Sequence, residues 1–275
     1  MDQQPDINTM FKTLQARQQE EKLAKKENIT ISKDVFYSIV DYAHPTFAIC
    51  TQQELVSTAE HEGFARRLLN RIPMTGAQPS EKTVSMKFER NRVNKRLQME
   101  EQFISAQEQM FASEDRGLVS LAFKNKASRI VRVKRNEVTG QLLAQVRSIV
   151  TDNDIPVYAC LMGSRFYSDN LIANPEIRSM FDPSSKIENV MRGNMGHLYG
   201  MPVMSDAFRT PEHRVIDPDA CVFFGAPAFL GTLCVNEGQV PTVTIGSDMV
   251  EWDMPYEASI QGNRGEAMSL LIVED

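Results

Sequence analysis

The sequence predicts an α+β protein, a body of short strands and helices from which extended pieces project. Three observations carry that expectation. One long amphipathic stripe at helical spacing runs from Leu97 to about Ser128. The last third is a series of short apolar strands separated by Gly and Pro. Between Arg66 and Arg96, nine basic residues stand against two acidic ones, in a stretch broken by the turn-rich Pro73–Ser80. A chain of 275 residues can bury one substantial core or two modest ones, and an apolar share of 42% with 24% charged is ordinary for a globular protein.

Residues 1–30 are polar and charge-mixed, apart from Ile7, Met10, Phe11 and Leu14 at helical spacing. So little apolar surface cannot fold alone, so the stretch reads as an arm that orders against something else. Residues 29–72 mix strand-like and helical pieces. After the break, Val84, Met86 and Phe88 alternate with polar neighbours, as a half-buried strand requires. In the long helix, Phe103, Met110, Phe111, Leu118, Leu121 and Ala122 form the inner stripe. The acid pairs Glu100-Glu101 and Glu114-Asp115 read as its solvated face. Gly117 marks a bend or a close contact.

RIVRVKR alternates like a strand, and Thr139 is placed to cap a second helix with Leu142, Leu143, Val146, Ile149 and Val150 inside. Asp152-Asn153-Asp154 ends that helix, and Val157–Met162 is a buried strand. Asn174-Pro175-Glu176 starts a short helix that Asp182-Pro183 should stop. Strands follow at MPVMSD, ACVFFG, FLGTLCV, VTIG and SLLIV.

The charge is uneven. Residues 1–135 carry 22 Lys and Arg against 17 Asp and Glu, whereas 136–275 carry 8 against 19. A basic surface on one copy meeting an acidic surface on the next would set register and orientation. The residues expected at such contacts are Arg66, Arg67, Arg71, Lys87, Arg90, Arg92, Lys95 and Arg96. A net charge of −6 is not what dedicated nucleic-acid binding predicts.

Reaction chemistry is sparse. Gly193, Gly196 and Gly200 are spaced for neither a dinucleotide loop nor a phosphate loop and read as turn glycines. His61-Glu62 lacks the second histidine of a zinc protease motif. Cys50, Cys160, Cys221 and Cys234 form no Cys-x-x-Cys pair and sit among apolar neighbours, as buried reduced thiols do. A disulfide between two of them stays open. His213, Asp217, Asp219 and Cys221 are close enough in sequence to raise a metal site, without standard ligand spacing. No cofactor or metal is expected. The longest uncharged run, Ala220–Val235, is 16 residues broken by Gly and Pro, too short to span a bilayer. The polar N-terminus is not a secretory signal.

Taken in chain order, these segments resemble the major capsid proteins of tailed bacteriophages, with the Hong Kong 97-type fold. The basic Arg66–Arg96 hairpin occupies the place of that family's extended loop. The helix containing ASEDRGLVSLAFKNKA resembles its spine helix. PVYACLMGSRFYSDNL is similar to the strand and helix that open the axial domain, and MRGNMGHLYGMPVMSD to a glycine-turn segment before a strand ending Ser-Asp. ACVFFGAPAFLGTLCV resembles a strand, Phe-Leu-Gly, strand passage, and WDMPYEASIQGNRGEAMSLLIVED the closing strand.

The likeness spans roughly residues 55–275, and residues 1–54 match only as the place of the family's N-terminal arm. It implies an arm and the piece after it at 1–54, the extended loop at 55–97, a peripheral domain with the spine helix at 98–150, an axial domain at 151–255, and a closing strand at 256–275. It further implies a non-enzymatic shell subunit that self-assembles through hexamers and pentamers into an icosahedral virion capsid, made in the host cytoplasm. Its partners would be itself, portal and scaffolding proteins, a decoration protein, and packaged double-stranded DNA held by weak non-specific contact, with no membrane. Three alternatives stay open: an encapsulin-like nanocompartment shell, an α+β enzyme using His213, Asp217 and Cys221, and a nucleic-acid clamp at 66–96.

Overall fold

A computed structural model of the chain describes residues 63–74, 81–89, 95–124, 129–186, 189–190, 193–226, 230–236, 242–245, 249–262 and 264–274. The N-terminal arm, the His61-Glu62 pair, Cys50, Arg90 and Arg92 lie outside them. The chain divides into two compact units. A sheet unit contains His61–Ala77, Phe111–Val235 and Ser259–Asp275, and a ribbon unit includes Gln78–Met110 and Asn236–Ala258. Neither the 97/98 nor the 255/256 boundary expected from sequence coincides with this division.

In the sheet unit, α1 (Phe64–Leu68) leads into β1 (Asn70–Pro73), which pairs in parallel with β9 (Thr232–Asn236). A seven-stranded mixed sheet has the order β3 (Ile130–Lys134), β12 (Met268–Glu274), β8 (Ala220–Gly225), β4 (Val157–Met162), β7 (Met201–Ser205), β6 (Asn194–Leu198), β5 (Phe181–Pro183). The chain's last strand is thus second from the edge, parallel to β3 and antiparallel to β8. All six residues of β8 are buried, so this strand is covered on both faces, as its unbroken apolar sequence requires. On one face Cys221 and Phe223 join Cys160, Met162, Leu271 and Val273, with Leu143 and Val146 of α3 (Gly140–Thr151), in one apolar cluster.

Helix α3 begins as its sequence dictates. The Thr139 side chain accepts from the Leu142 N–H at 3.1 Å, satisfying one donor of the first turn. Ser269 on β12 donates to the Val146 carbonyl at 2.7 Å and ties the helix to the sheet. The cap of α4 (Pro175–Ser179) is also as expected, with Asn174 accepting from Glu176 N–H at 3.0 Å. That helix stops at Met180, before Asp182-Pro183, because those two residues belong to β5 and pair with β6. Between β4 and α4 a π-helix spans Phe166–Ile172.

The three spaced glycines serve a hairpin, with one strand more than the sequence predicts. Gly193 precedes β6, Gly196 lies inside it, and Gly200 sits in the β6–β7 turn. Tyr199 and Gly200 both have positive φ, 51° and 75°, the signature of a two-residue type I′ turn. Gly196 has φ 142° and faces the backbone of Asp182 and Pro183 where β5 pairs.

In the ribbon unit, β2 (Glu81–Glu89) and β10 (Thr242–Ile245) both pair antiparallel with β11 (Met249–Gln261). Thr83–Lys87 shows the expected alternation, with Val84 and Met86 buried. Sequence reading missed the length of β11, because Glu251, Asp253 and Pro255 interrupt its apolar residues. Pro255 lies beyond the end of β10, which pairs only with 250–253, so its missing N–H breaks no rung there. The expected closing strand at 256–275 is therefore the end of β11, a 3-10 turn at Gly265–Ala267, and β12. Helix α2 (Lys95–Phe123) has 29 residues, a length of about 43 Å, and contributes 95–110 to the ribbon unit and 111–123 to the sheet unit. Gly117 marks a close contact: a methyl group there would come within 3.1 Å of Ile260.

The two φ-positive glycines of the hairpin should respond differently. Gly200 faces open space, so Gly200→Asn, which also tolerates that conformation, should change stability by less than about 0.5 kcal/mol. At Gly196 a side chain meets the β5 backbone as well as an unfavourable φ, and Gly196→Ala should cost about 3 kcal/mol or more. Urea denaturation of the two variants measures both.

Candidate functional site

Of the eight basic residues expected at contacts between copies, the six among the described residues differ in setting, and Arg90 and Arg92 lie outside them. Arg66, on α1, is 6% exposed, and its guanidinium reaches Glu114 on α2 through two bonds, Nε to Oε2 at 2.6 Å and Nη2 to Oε1 at 2.5 Å. Both side chains are fully covered. An arginine sealed inside its own chain offers no charge to a neighbour, so Arg66 is an internal strut and not a contact residue. Arg67 is half-buried, with its guanidinium 5.8 Å from the Phe64 ring, and Arg71 is exposed on β1. Lys87 is exposed on β2, and Lys95 and Arg96 open α2.

The same geometry corrects the reading of Glu114-Asp115 as a solvated face. Phe111 to Asp115 are five consecutive buried residues, so this part of α2 is enclosed on all sides. Each acid is compensated. Asp115 accepts from the Ala65 N–H at 2.7 Å and from Arg209 Nη2 at 2.8 Å. The Arg209 guanidinium lies 4.3 Å from the Phe64 ring, and that of Arg66 lies 5.6 Å from Phe111. Bidentate geometry and charge-assisted hydrogen bonds are what make a buried pair tolerable, since desolvating two ions costs several kcal/mol each. The pairing partners lie 48 and 94 residues away in sequence, and no local spacing signals them.

Next to this cluster, Asp206 closes β7 with a buried carboxylate. Its Oδ2 accepts from Val215 N–H at 2.8 Å and Ile216 N–H at 3.3 Å, which fixes the connection to β8. Burial pushes its carboxyl above the ordinary value, outweighing those two bonds and the charges of Arg209 and Arg214.

On the ribbon, cross-strand pairs sort by face. Met86 stands opposite Trp252 and Val84 opposite Met254, all buried, with Tyr256 beyond them on the same face of β11. The other face carries polar rungs: Lys87 Nζ to Glu251 at 2.6 Å, Ser85 Oγ to Asp253 at 2.5 Å, and Asn236 Nδ2 to Glu257 at 2.9 Å. The Glu251 hydrogen bond and charge raise the Lys87 pKa. At 59% side-chain exposure, Lys87 remains open to solvent while paired.

The alternative enzyme triad does not form. Cys221 is buried in the core beside Cys160, and burial, with Cys160 as its neighbour, pushes its thiol far up and away from nucleophilic use. His213 Nδ1 lies 3.1 Å from Thr210 Oγ1, and Asp217 Oδ1 accepts from the Asp219 N–H at 2.9 Å. Among the described residues no group of three or more His, Cys, Asp or Glu side chains is placed to hold a metal. Cys160, Cys221 and Cys234 are buried free thiols. No helix among the described residues is long and apolar enough to cross a membrane.

No protein-family model and no curated protein matches the sequence. Solved structures do. A chain of Microbacterium phage Oxtober96 is 12% identical, with a TM-score of 0.51, covering 78% of this chain and 92% of that one. The holo-SrpI encapsulin complex from Synechococcus elongatus PCC 7942 gives 10% identity and a TM-score of 0.51, covering 76% and 86%. The capsid structure of Cyanophage P-SCSP1u gives 9% identity, a TM-score of 0.49, and coverage of 79% and 90%. At such identities the likeness is one of fold, and the fold is the α+β Hong Kong 97-type fold of capsid proteins.

Asp206 provides a pH test of this region. Its raised folded value means that its favourable contribution is complete below the unfolded carboxylate pKa and is lost as pH rises through the folded one. Asp206→Asn keeps an acceptor for Val215 and Ile216 and cannot ionise. Relative to wild type, the variant should gain stability as pH rises from about 4 to about 7, read from urea midpoints at the two pH values.

Proposed function

We propose that this chain is a shell subunit, the major capsid protein of a tailed phage, which assembles through hexamers and pentamers into an icosahedral shell around double-stranded DNA. The observation that supports the reading is the fold held in common with a phage chain and an encapsulin shell chain over more than three quarters of this sequence. Physical logic agrees. A shell needs a rigid body with reaching pieces, because many modest contacts sum into a lattice and arms become ordered only on assembly. Head-to-tail contacts close into rings when the rotation permits. The acidic balance of 136–275 complements the basic residues around 67–96, and a net negative lining avoids gripping DNA phosphates.

In this reading 98–150 is the peripheral part and 151–255 the axial part. Portal, scaffolding and decoration proteins are the expected partners, and the virion capsid, assembled in the host cytoplasm, is the location. The encapsulin-like nanocompartment is the second reading, supported by the likeness to the holo-SrpI encapsulin complex. Particles from expressed protein separate the two: nuclease-protected DNA after packaging points to a phage shell, and co-purifying folded protein cargo to a nanocompartment. A subunit that stays monomeric by light scattering, with its scaffold present and no particles by electron microscopy, overturns both.

The contact residues have their own test. Replacing both Arg90 and Arg92 with glutamate turns attraction toward an acidic neighbour into repulsion. Particle yield should fall by about tenfold or more while the subunit's melting temperature stays within error of wild type. Electron microscopy and calorimetry of the same preparations provide the two readings.

A further inference from the structure

Residues 63–74 are held in a way unlike the rest of the sheet unit. Helix α1 has five residues, too few to be stable alone, and all four residues of β1 are exposed, so β1 pairs with β9 through its backbone without burying a side chain. What seats the segment is Phe64, Ala65, Leu68 and Leu69, all buried, together with the Arg66–Glu114 pair and the Ala65–Asp115 bond. None of these residues belongs to the apolar cluster between α3 and the seven-stranded sheet. The segment is therefore seated by its own set of buried side chains, apart from that cluster.

We infer that residues 63–74 form a strap, docked as a unit by charge compensation at Glu114, which can lift while the seven-stranded sheet stays folded. Arginine cannot shed its proton in a protein, so a buried Arg66 without its counter-charge must reach water. Lifting twelve residues that contribute no side chain to the cluster between α3 and the sheet is a smaller event than unfolding the sheet, and proteins open locally along such boundaries. The strap is also the last piece of this unit before the chain passes, at Ala77, into the ribbon unit. On the shell reading proposed above, on which this clause rests, a docked strap is a condition of assembly and Glu114 is a positioning residue.

Hydrogen–deuterium exchange of the full chain tests the strap, using wild type, Glu114→Gln, and the apolar replacement Arg66→Met with Glu114→Leu. In Glu114→Gln, exchange at 63–74 should accelerate by about tenfold or more, with peptides covering 157–162 and 220–225 unchanged. The double variant removes both charges at similar volume and should restore slow exchange at 63–74. Unchanged exchange at 63–74 in Glu114→Gln, equal loss of protection in the sheet peptides, or a double variant that stays fast would each overturn the strap. Wild-type particle yield from Glu114→Gln subunits with fast straps would overturn its role in assembly. Failure of the wild-type chain to form any particle would count against the shell reading and leave the exchange result standing.

Discussion

The middle of α2 sets the terms for everything packed around it. Between Phe111 and Asp115 the helix has no solvent side, yet it carries two carboxylates there. Charges in such a place persist only if the surrounding chain brings matching donors, and this chain brings Arg66, Arg209 and the Ala65 amide from two distant segments. The positions of α1 and of the β7–β8 connection are therefore not free choices of loop geometry. They follow from the need to neutralise Glu114 and Asp115, and the guanidinium groups of Arg67 and Arg209 both approach the Phe64 ring.

How much of this was legible in the sequence depends on whether the cause was local. Thr139 as a cap, Asn174-Pro175 as a helix start, the alternation of Val84 and Met86, and the apolar runs of β4 and β8 all act within a few residues, and the structure has them where the sequence predicts. The misses share one cause, a partner far along the chain. Asp182-Pro183 looked like a helix stop but is pulled into β5 by pairing with β6. β11 reads as broken because Glu251, Asp253 and Glu257 meet Lys87, Ser85 and Asn236 on other strands, and its proline falls past the last rung of β10. Glu114 and Asp115 read as solvated because acids usually are, and Arg66 reads as a surface charge for the same reason.

The fold likeness at about one identity in ten carries a related lesson. What such chains can hold in common at that distance is an order of elements and a pattern of covered faces, and many sequences satisfy both. The resemblance in the sequence lies in the order of degenerate segments, whereas no family model matches the chain. Individual side-chain devices, such as the polar rungs on the ribbon, follow the particular sequence and had to be found in coordinates.

The place of β12 has a consequence for synthesis. It lies far along the chain, yet it stands between β3 and β8, and among the described residues β3 has no other neighbour in the sheet. Residues 130–134 must therefore wait, from the moment they leave the ribosome, for a partner about 140 positions downstream. Closing so long a loop is slow, and until Met268–Glu274 emerge the flanks of β3 and β8 stay open to wrong neighbours. In a cell making many copies at once, that interval is when a holding chaperone would matter most.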